Sequence, residues 1–434
     1  MAATTVDVLD TARTHWVHRY LRPHDAVARA LTWATISSSL SKGVFFSVSA
    51  LYFTRVAGFS ATTIGFGLTV AGAVAVTAAL GAGYLARAVG AQRLLVATTA
   101  GQGVALIGYL AVQTPTAFIV VACAAVGQQA MQRTALNTMI AESFTGPERV
   151  AVRARLRVVM NVFIGVGTAL AAVALAIGTR PAYLAAMLTT GLLLFVSALS
   201  LGRVHGATAA AAPVEVRDPR RSPLLDRTYL AATSLYAVMT MQFGLLTVGV
   251  PLWVAGWTTA PPVTVAALLA LNTIIVSLFQ VWAARSTTDL STAGHAVARG
   301  GAFLAIACAL YAAAVHGPLF VVLAVLVLAT VAHSVAEILS EAGNWTLAFD
   351  LADPTNAGAY QGVSQTGAAL GSMLAPLVVT ATAIEHGWPG WAVLGAIFLV
   401  AGVSTLALVG GRCRPRRRAR TYVPRKGHRP VRDR

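Results

Sequence analysis

The sequence predicts an all-α integral membrane protein, with twelve transmembrane helices in two pseudo-symmetric six-helix bundles, and three observations lead to that fold. Hydrophobic residues make up 57% of the 434 residues and charged residues only 11%. A soluble domain carries about 25% charged residues, so this chain lacks the polar surface to face water. Apolar segments of about 20 to 25 residues, each able to cross roughly 30 Å of hydrocarbon, recur along nearly the whole length. Features of the first half also return in the second at an offset of about 200 residues.

The spans are helices because their apolar runs, such as 319–331 and 378–383, are continuous. A barrel strand would alternate apolar and polar residues, whereas a helix satisfies its own backbone without water. Cuts at charges, prolines and glycine-rich turns place the spans near 31–54, 61–85, 94–112, 116–140, 155–178, 182–202, 229–254, 262–284, 296–315, 319–341, 358–383 and 390–410. Gln113-Thr114-Pro115, Thr258–Pro262, His316-Gly317-Pro318 and Glu385–Pro389 are short turns between them. The resulting division is a leader at 1–30, a bundle at 31–202, a linker at 203–227, a second bundle at 228–410 and a basic tail at 411–434. The linker follows the sixth span and is rich in alanine, proline and mixed charge, as flexible connections are.

Three matches support a duplication. Asn137 and Asn344 each precede a turn proline, Pro147 or Pro354, by ten residues. The run 47–53 resembles 247–253, and Ala86-Arg87 is matched by Ala284-Arg285.

The 32 Lys and Arg against 15 Asp and Glu give a formal charge of +17. In a membrane protein such an excess records topology and contact with anionic lipid. With both termini cytoplasmic, Arg55 and Arg180 alone fall on the outer side, Lys42 and Arg133 fall inside spans, and the other basic residues face the cytoplasm. The tail, with Arg416-Arg417-Arg418, is read as a binder of anionic lipid headgroups and not of nucleic acid. Arginine far outnumbers lysine, which together with the alanine and valine content suggests a GC-rich bacterial genome and a bacterial plasma membrane. Cys123, Cys308 and Cys413 are too scattered for a disulfide framework, and residues 1–29 have no cleavable signal pattern. No G-x-x-x-x-G-K-[ST] loop and no H-E-x-x-H helix occurs, so neither an enzyme nor a cofactor is expected.

After the second span the chain reads Gly83-Tyr84-Leu85-Ala86-Arg87-Ala88-Val89-Gly90-Ala91-Gln92-Arg93. This resembles the signature G-x-L-A-D-R-x-G-x-R-R of the major facilitator superfamily, at the expected place between spans two and three. Arg87 stands where the family has Asp and Ala88 where it has Arg, so the family's inter-bundle carboxylate latch is altered or absent here. The resemblance covers about residues 30–410 and is nearest to bacterial drug-efflux-like members, notably in Leu51–Arg55. The proline-containing motif of proton antiporters is missing from the fifth span, where Asn161–Thr168 keeps glycine but has no proline. The resemblance implies a monomeric secondary transporter working by alternating access. Its implied function is proton-coupled efflux, or antiport, of small amphipathic or drug-like molecules. An importer or facilitator of a polar metabolite, and a non-transporting sensor or scaffold, remain open.

Charges inside a span are costly and usually face a cavity or a partner. Lys42 lies mid-span in a serine-rich run, Arg133 lies in span four, and Glu337 and Glu341 lie one turn apart in span ten. In the family, spans one, four, seven and ten line the cavity, so all four residues are candidates to face it. Glu337, Glu341 and Arg133 are expected to form a proton-coupling or gating set, with Arg133 meeting a glutamate across the pseudo-two-fold. The alternative is a static pair that pins two helices. Lys42, Gln128, Gln129, Tyr236, Gln242, His333 and Gln365 are the expected substrate-binding residues; such polar groups serve equally well as helix–helix hydrogen bonds.

The topology has a direct check. Cysteines introduced at Thr114 and Thr259 should react with an impermeant reagent added outside intact cells, and one at Ala209 should not. Labelling at Ala209 would reverse the orientation.

Overall fold

A computed structural model describes residues 26–53, 58–203, 222–315 and 317–413. The leader, most of the linker, Arg55, His316 and the basic tail beyond Cys413 lie outside the described residues. Among those described there is no strand, and the chain forms twelve long helical elements, numbered in order. The first half holds α1 (Ala26–Leu51), α2 (Ala61–Val89), α3 (Ala91–Gly108), α4 (Pro115–Ser143), α5 (Pro147–Ile177) and α6 (Arg180–Gly202). The second holds α7 (Arg227–Trp257), α8 (Val263–Ser286), α9 (Leu290–Ala313), α10 (Leu319–Asp350), α11 (Ala357–Val379) and α12 (Trp388–Cys413).

Ten of the twelve are long and apolar enough to cross a membrane by length and composition. The other two, α1 and α4, have the length but are diluted by the serines around Lys42 and by Gln128, Gln129, Gln132 and Arg133. A helix this polar is stable in hydrocarbon only where its polar face turns towards protein or an internal cavity. Large apolar side chains such as Phe66, Leu170, Leu199, Leu278, Trp282 and Val400 cover the outside of the molecule.

Local chemistry sets the helix ends. Thr114 caps α4, accepting from Ala117 N, and Pro115 follows as its first residue. Asp289 and Thr292 form a reciprocal capping box at the start of α9. Those hydrogen bonds hold the Asp289 carboxyl below the usual carboxylate range. Gly90 joins α2 to α3 with φ of 90°, a conformation that costs glycine little. Prolines inside α7 and α11, Pro251 and Pro376, accompany π turns at Leu245–Gly249 and Thr380–Ile384, where the hydrogen-bond ladder shifts register.

Two boundaries differ from expectation, and both matter. α5 begins at Pro147 and not near 155, while α10 runs on to Asp350. The charge count placed Arg149, Arg153, Arg155 and Arg157 on the cytoplasmic side, although the expected span at 155–178 already took in the last two. The helix instead carries Arg153 and Arg157 inward, where carboxylates and aromatic rings receive them.

The packing repeats between halves. α1 packs on α5 and α6, α2 on α4, and α3 on α4 and α6; six helices later, α7 packs on α11 and α12, α8 on α10, and α9 on α10 and α12. The two bundles meet along α2–α11 and α5–α8, contacts that exchange under the same pseudo-two-fold.

The two faces of the molecule are closed to different degrees. On the face where α1 begins and α12 ends, one buried cluster draws on both halves, joining Leu95, Met139 and Leu156 to Ala284, Trp345 and Ala357. On the far face the buried clusters stay within a bundle. Phe53, Tyr109, Phe118 and Met187 pack in the first half, and Trp253, Tyr311, Trp391 and Phe398 in the second. The first, terminus-side face is sealed where α2 meets α11. A Cβ on Gly83 would lie 2.5 Å from Gly358 O and 2.8 Å from the Gly362 Cα, so only glycine permits this approach.

Gly83→Val should therefore prop this face open. A cysteine replacing buried Ala357, in a background lacking other cysteines, should then react with maleimide at least tenfold faster. Unchanged reactivity would mean that the helices close without the glycine.

Candidate functional site

The site is built from α1, α4, α5, α7, α8 and α10. Arg157 Nη2 of α5 donates to Glu337 Oε1 of α10 at 2.9 Å, the single ion pair among the described residues, and it joins the two bundles. The second carboxylate oxygen is held too, because Asn272 Nδ2 of α8 donates to Glu337 Oε2 at 3.1 Å and to Ser334 Oγ at 3.0 Å. Gln242 of α7 donates to Ser340 Oγ at 3.1 Å, one turn further along α10. The Arg157 guanidinium also sits over the Phe243 ring, 5.1 Å from its centroid. Glu337 is only 2% exposed, so these donors are what its carboxylate oxygens meet in place of water.

More charges surround this pair. Arg153 lies four residues before Arg157, hence on the same face of α5, with its guanidinium 5.5 Å from the Trp345 ring centroid. Glu341 is buried near Arg153 and Arg157, and its Oε1 has no hydrogen-bond partner. Tyr236 of α7 lies within electrostatic reach of Arg153, Arg157 and Glu341. Lys42 feels the charges of Arg133 and Arg153 and has no acidic partner within ion-pair distance among the described residues.

The expected pairing of Arg133 with a glutamate is corrected by the geometry. Arg133 Nη2 donates to Gln129 Oε1 at 2.7 Å on its own helix, and the glutamate partner is Arg157. Arg133 instead lines a cleft of about 380 Å³ between α2, α4 and α11, together with Gln129 and Gln365. The sequence did hold a signal for Arg157. Arg149, Arg153 and Arg157 recur every four residues after Pro147, a favoured first helical residue.

The other expected residues fall in different surroundings. Gln128 lies against α3, where a Cβ on Gly101 would come 2.8 Å from its Nε2. Gln132 donates to Thr99 Oγ1 at 2.7 Å, tying α4 to α3. His333 is fully buried in the second bundle, beside the Tyr311 ring and away from the cleft, with neither ring nitrogen hydrogen-bonded.

A twelve-helix chain with matching halves, and a charged centre between them, invites comparison with known transporters. The sequence profile of the Major Facilitator Superfamily matches residues 31–376. This chain belongs to that superfamily. Solved members of similar shape include the human organic anion transporter MFSD10 (TETRAN), with TM-score 0.69, 14% identity, and 89% of this chain and 99% of that chain covered. The proton:xylose symporter XylE, bound to 6-bromo-6-deoxy-D-glucose, has TM-score 0.64 at 13% identity, covering 88% and 95%. A bacterial homologue of the iron transporter ferroportin, in an outward-facing state, has TM-score 0.66 at 13% identity, covering 89% and 99%. At such identities the likeness shows the fold. No curated protein matches the sequence significantly.

Within this superfamily fold the signature residues take structural roles. Gly83 permits the α2–α11 approach and Gly90 makes the turn. Arg87, in the last turn of α2, lies over the Tyr84 ring at 4.9 Å, and Arg93 is exposed at the start of α3.

Removing one member of a buried ion pair leaves its partner's charge stranded, which costs more than removing both. Arg157→Gln and Glu337→Gln should each destabilise the protein more than half as much as the double variant does. Thermal unfolding in detergent should give a coupling between them of about 1–3 kcal/mol. Strict additivity would show that the pair contributes nothing in this state.

Proposed function

We propose that the protein is a proton-coupled secondary transporter that moves small amphipathic molecules out of the cell by alternating access. The observation that carries this reading is the Arg157–Glu337 ion pair, set between the bundles on the closed side of a charged interior. An ion pair whose halves belong to separately packed bundles can form in one arrangement and break in the other, while a static core needs no charge there.

The cycle we propose uses few groups. Both termini face the cytoplasm of a bacterial cell, so the closed, terminus-side face is the inner one and the far face is the outer one. A proton entering from outside neutralises Glu337, which discharges the latch and leaves Arg157 without its partner. The inner face then opens, Glu337 loses the proton to the cytoplasm, and substrate enters the cavity. Re-forming the pair closes the inner face and carries the substrate outwards. Glu341, buried one turn further along α10 and near Arg157, is placed to receive the guanidinium while the latch is open. Binding falls to cavity residues such as Gln129, Gln365 and Tyr236, with no cofactor, and the chain acts as a monomer.

The test is transport in proteoliposomes with an imposed pH gradient. Glu337→Gln should abolish uphill, gradient-driven movement while leaving substrate binding or exchange measurable. A Glu337→Gln protein that still concentrates substrate would remove Glu337 as the coupling group.

A further inference from the structure

The central charges do not balance. Arg157 is matched by Glu337, and Arg153 lies within reach of Glu341. That exhausts the carboxylates described at the centre, yet two cations remain. Among the described residues, Arg133 has only the neutral amide of Gln129, and Lys42 has neither an ion pair nor a hydrogen bond. Each lies where hydrocarbon would surround it if the protein did not, and there an uncompensated charge is strongly unfavourable. The two cations also repel each other.

Three features beside this surplus suit a ligand. The cleft of about 380 Å³ against which Arg133 is exposed falls within the size range of small-molecule sites. Its wall is mixed, with apolar Val126, Ala130 and Met373 beside polar Thr69, Gln129 and Gln365. Ser39, one turn before Lys42 on the same face of α1, has a fully buried hydroxyl with no hydrogen-bond partner.

We infer that the cavity binds a small organic anion, with a carboxylate or sulfonate between Arg133 and Lys42 and an apolar body against the cleft wall. Arginine suits this role because its planar fork matches a carboxylate with two parallel N–H donors. Lys42 adds a point charge within electrostatic reach of Arg133, and the anion offsets half of the positive surplus without disturbing the Arg157–Glu337 pair. The inference rests on the transporter reading for its purpose, since it names the substrate class of that cavity. The binding itself is measurable without transport.

The experiment is equilibrium binding of radiolabelled 2-naphthoate to the purified full chain, with uncharged 2-naphthamide and cationic 2-naphthylmethylamine as matched probes. Naphthoate should bind and the other two should not compete. Arg133→Gln and Lys42→Met should each weaken naphthoate binding at least tenfold, Arg133→Lys should weaken it less than Arg133→Gln, and Arg180→Gln should leave it unchanged. Thermal unfolding identifies any variant that has simply failed to fold, and the lysine substitution then decides the matter. Equal binding of the amide, or full affinity in a folded Arg133→Gln protein, would overturn the assignment. Displacement of naphthoate by phosphatidylglycerol at stoichiometric levels would assign the cations to a lipid headgroup and overturn it equally. Anion binding without flux of any compound would leave the site standing and the transporter reading refuted; flux of neutral or cationic compounds without anion binding would do the reverse.

Discussion

Hydrocarbon offers no hydrogen bonds, and almost every feature of this protein follows from that constraint. It forces the backbone into helices, and it favours polar side chains that find a partner inside the protein. α1 and α4, the two helices without a long apolar stretch, turn Lys42, Gln129 and Arg133 towards the interior. Gln132 and Thr99 hold α4 to α3, Asn272 and Ser334 hold α8 to α10, and Ser197 reaches the Ala34 carbonyl to hold α6 to α1.

The asymmetry between the faces turns a bundle of helices into something that can work as a machine. The terminus-side cluster is shared by both halves and is sealed by contacts that a single added methyl group would disrupt. On the far side each half is packed around its own aromatic residues. Two self-contained bundles can therefore pivot on the α2–α11 and α5–α8 contacts without unpacking either core. The Arg157–Glu337 pair lies near the closed end of that arrangement, so its bond energy counts towards closure and not towards the stability of either bundle alone.

The ion pair and the remaining cations stand apart at the centre. Glu337 receives donors from Arg157 and Asn272, which makes its carboxylate part of the contact between bundles. Lys42 and Arg133 take no part in that contact, and the cleft beside Arg133 runs between α2, α4 and α11. The altered signature loop fits this division. With Arg87 in place of the superfamily's aspartate, the carboxylate that ties the bundles together here is on α10.

The sequence by itself determined the membrane class, the helical architecture, the repeat and the residues worth watching. Those rest on properties that a helix carries locally: apolar length, capping chemistry at Thr114 and Asp289, and the rarity of charge in hydrocarbon. Lys42, Arg133, Glu337 and Glu341 were legible for that last reason. What only the tertiary structure decided was partnership. Nothing local says that Glu337 will meet Arg157, 180 residues away, and not Arg133. Arg153 and Arg157 were read as facing water because basic residues beside an apolar run normally do so. Only when α5, α7 and α10 pack together do carboxylates and aromatic rings appear opposite them. The same packing separated Gln129 and Gln365, which reach the cleft, from Gln128 and His333, which do not. A helix fixes which residues share a face, but its neighbours decide what that face meets.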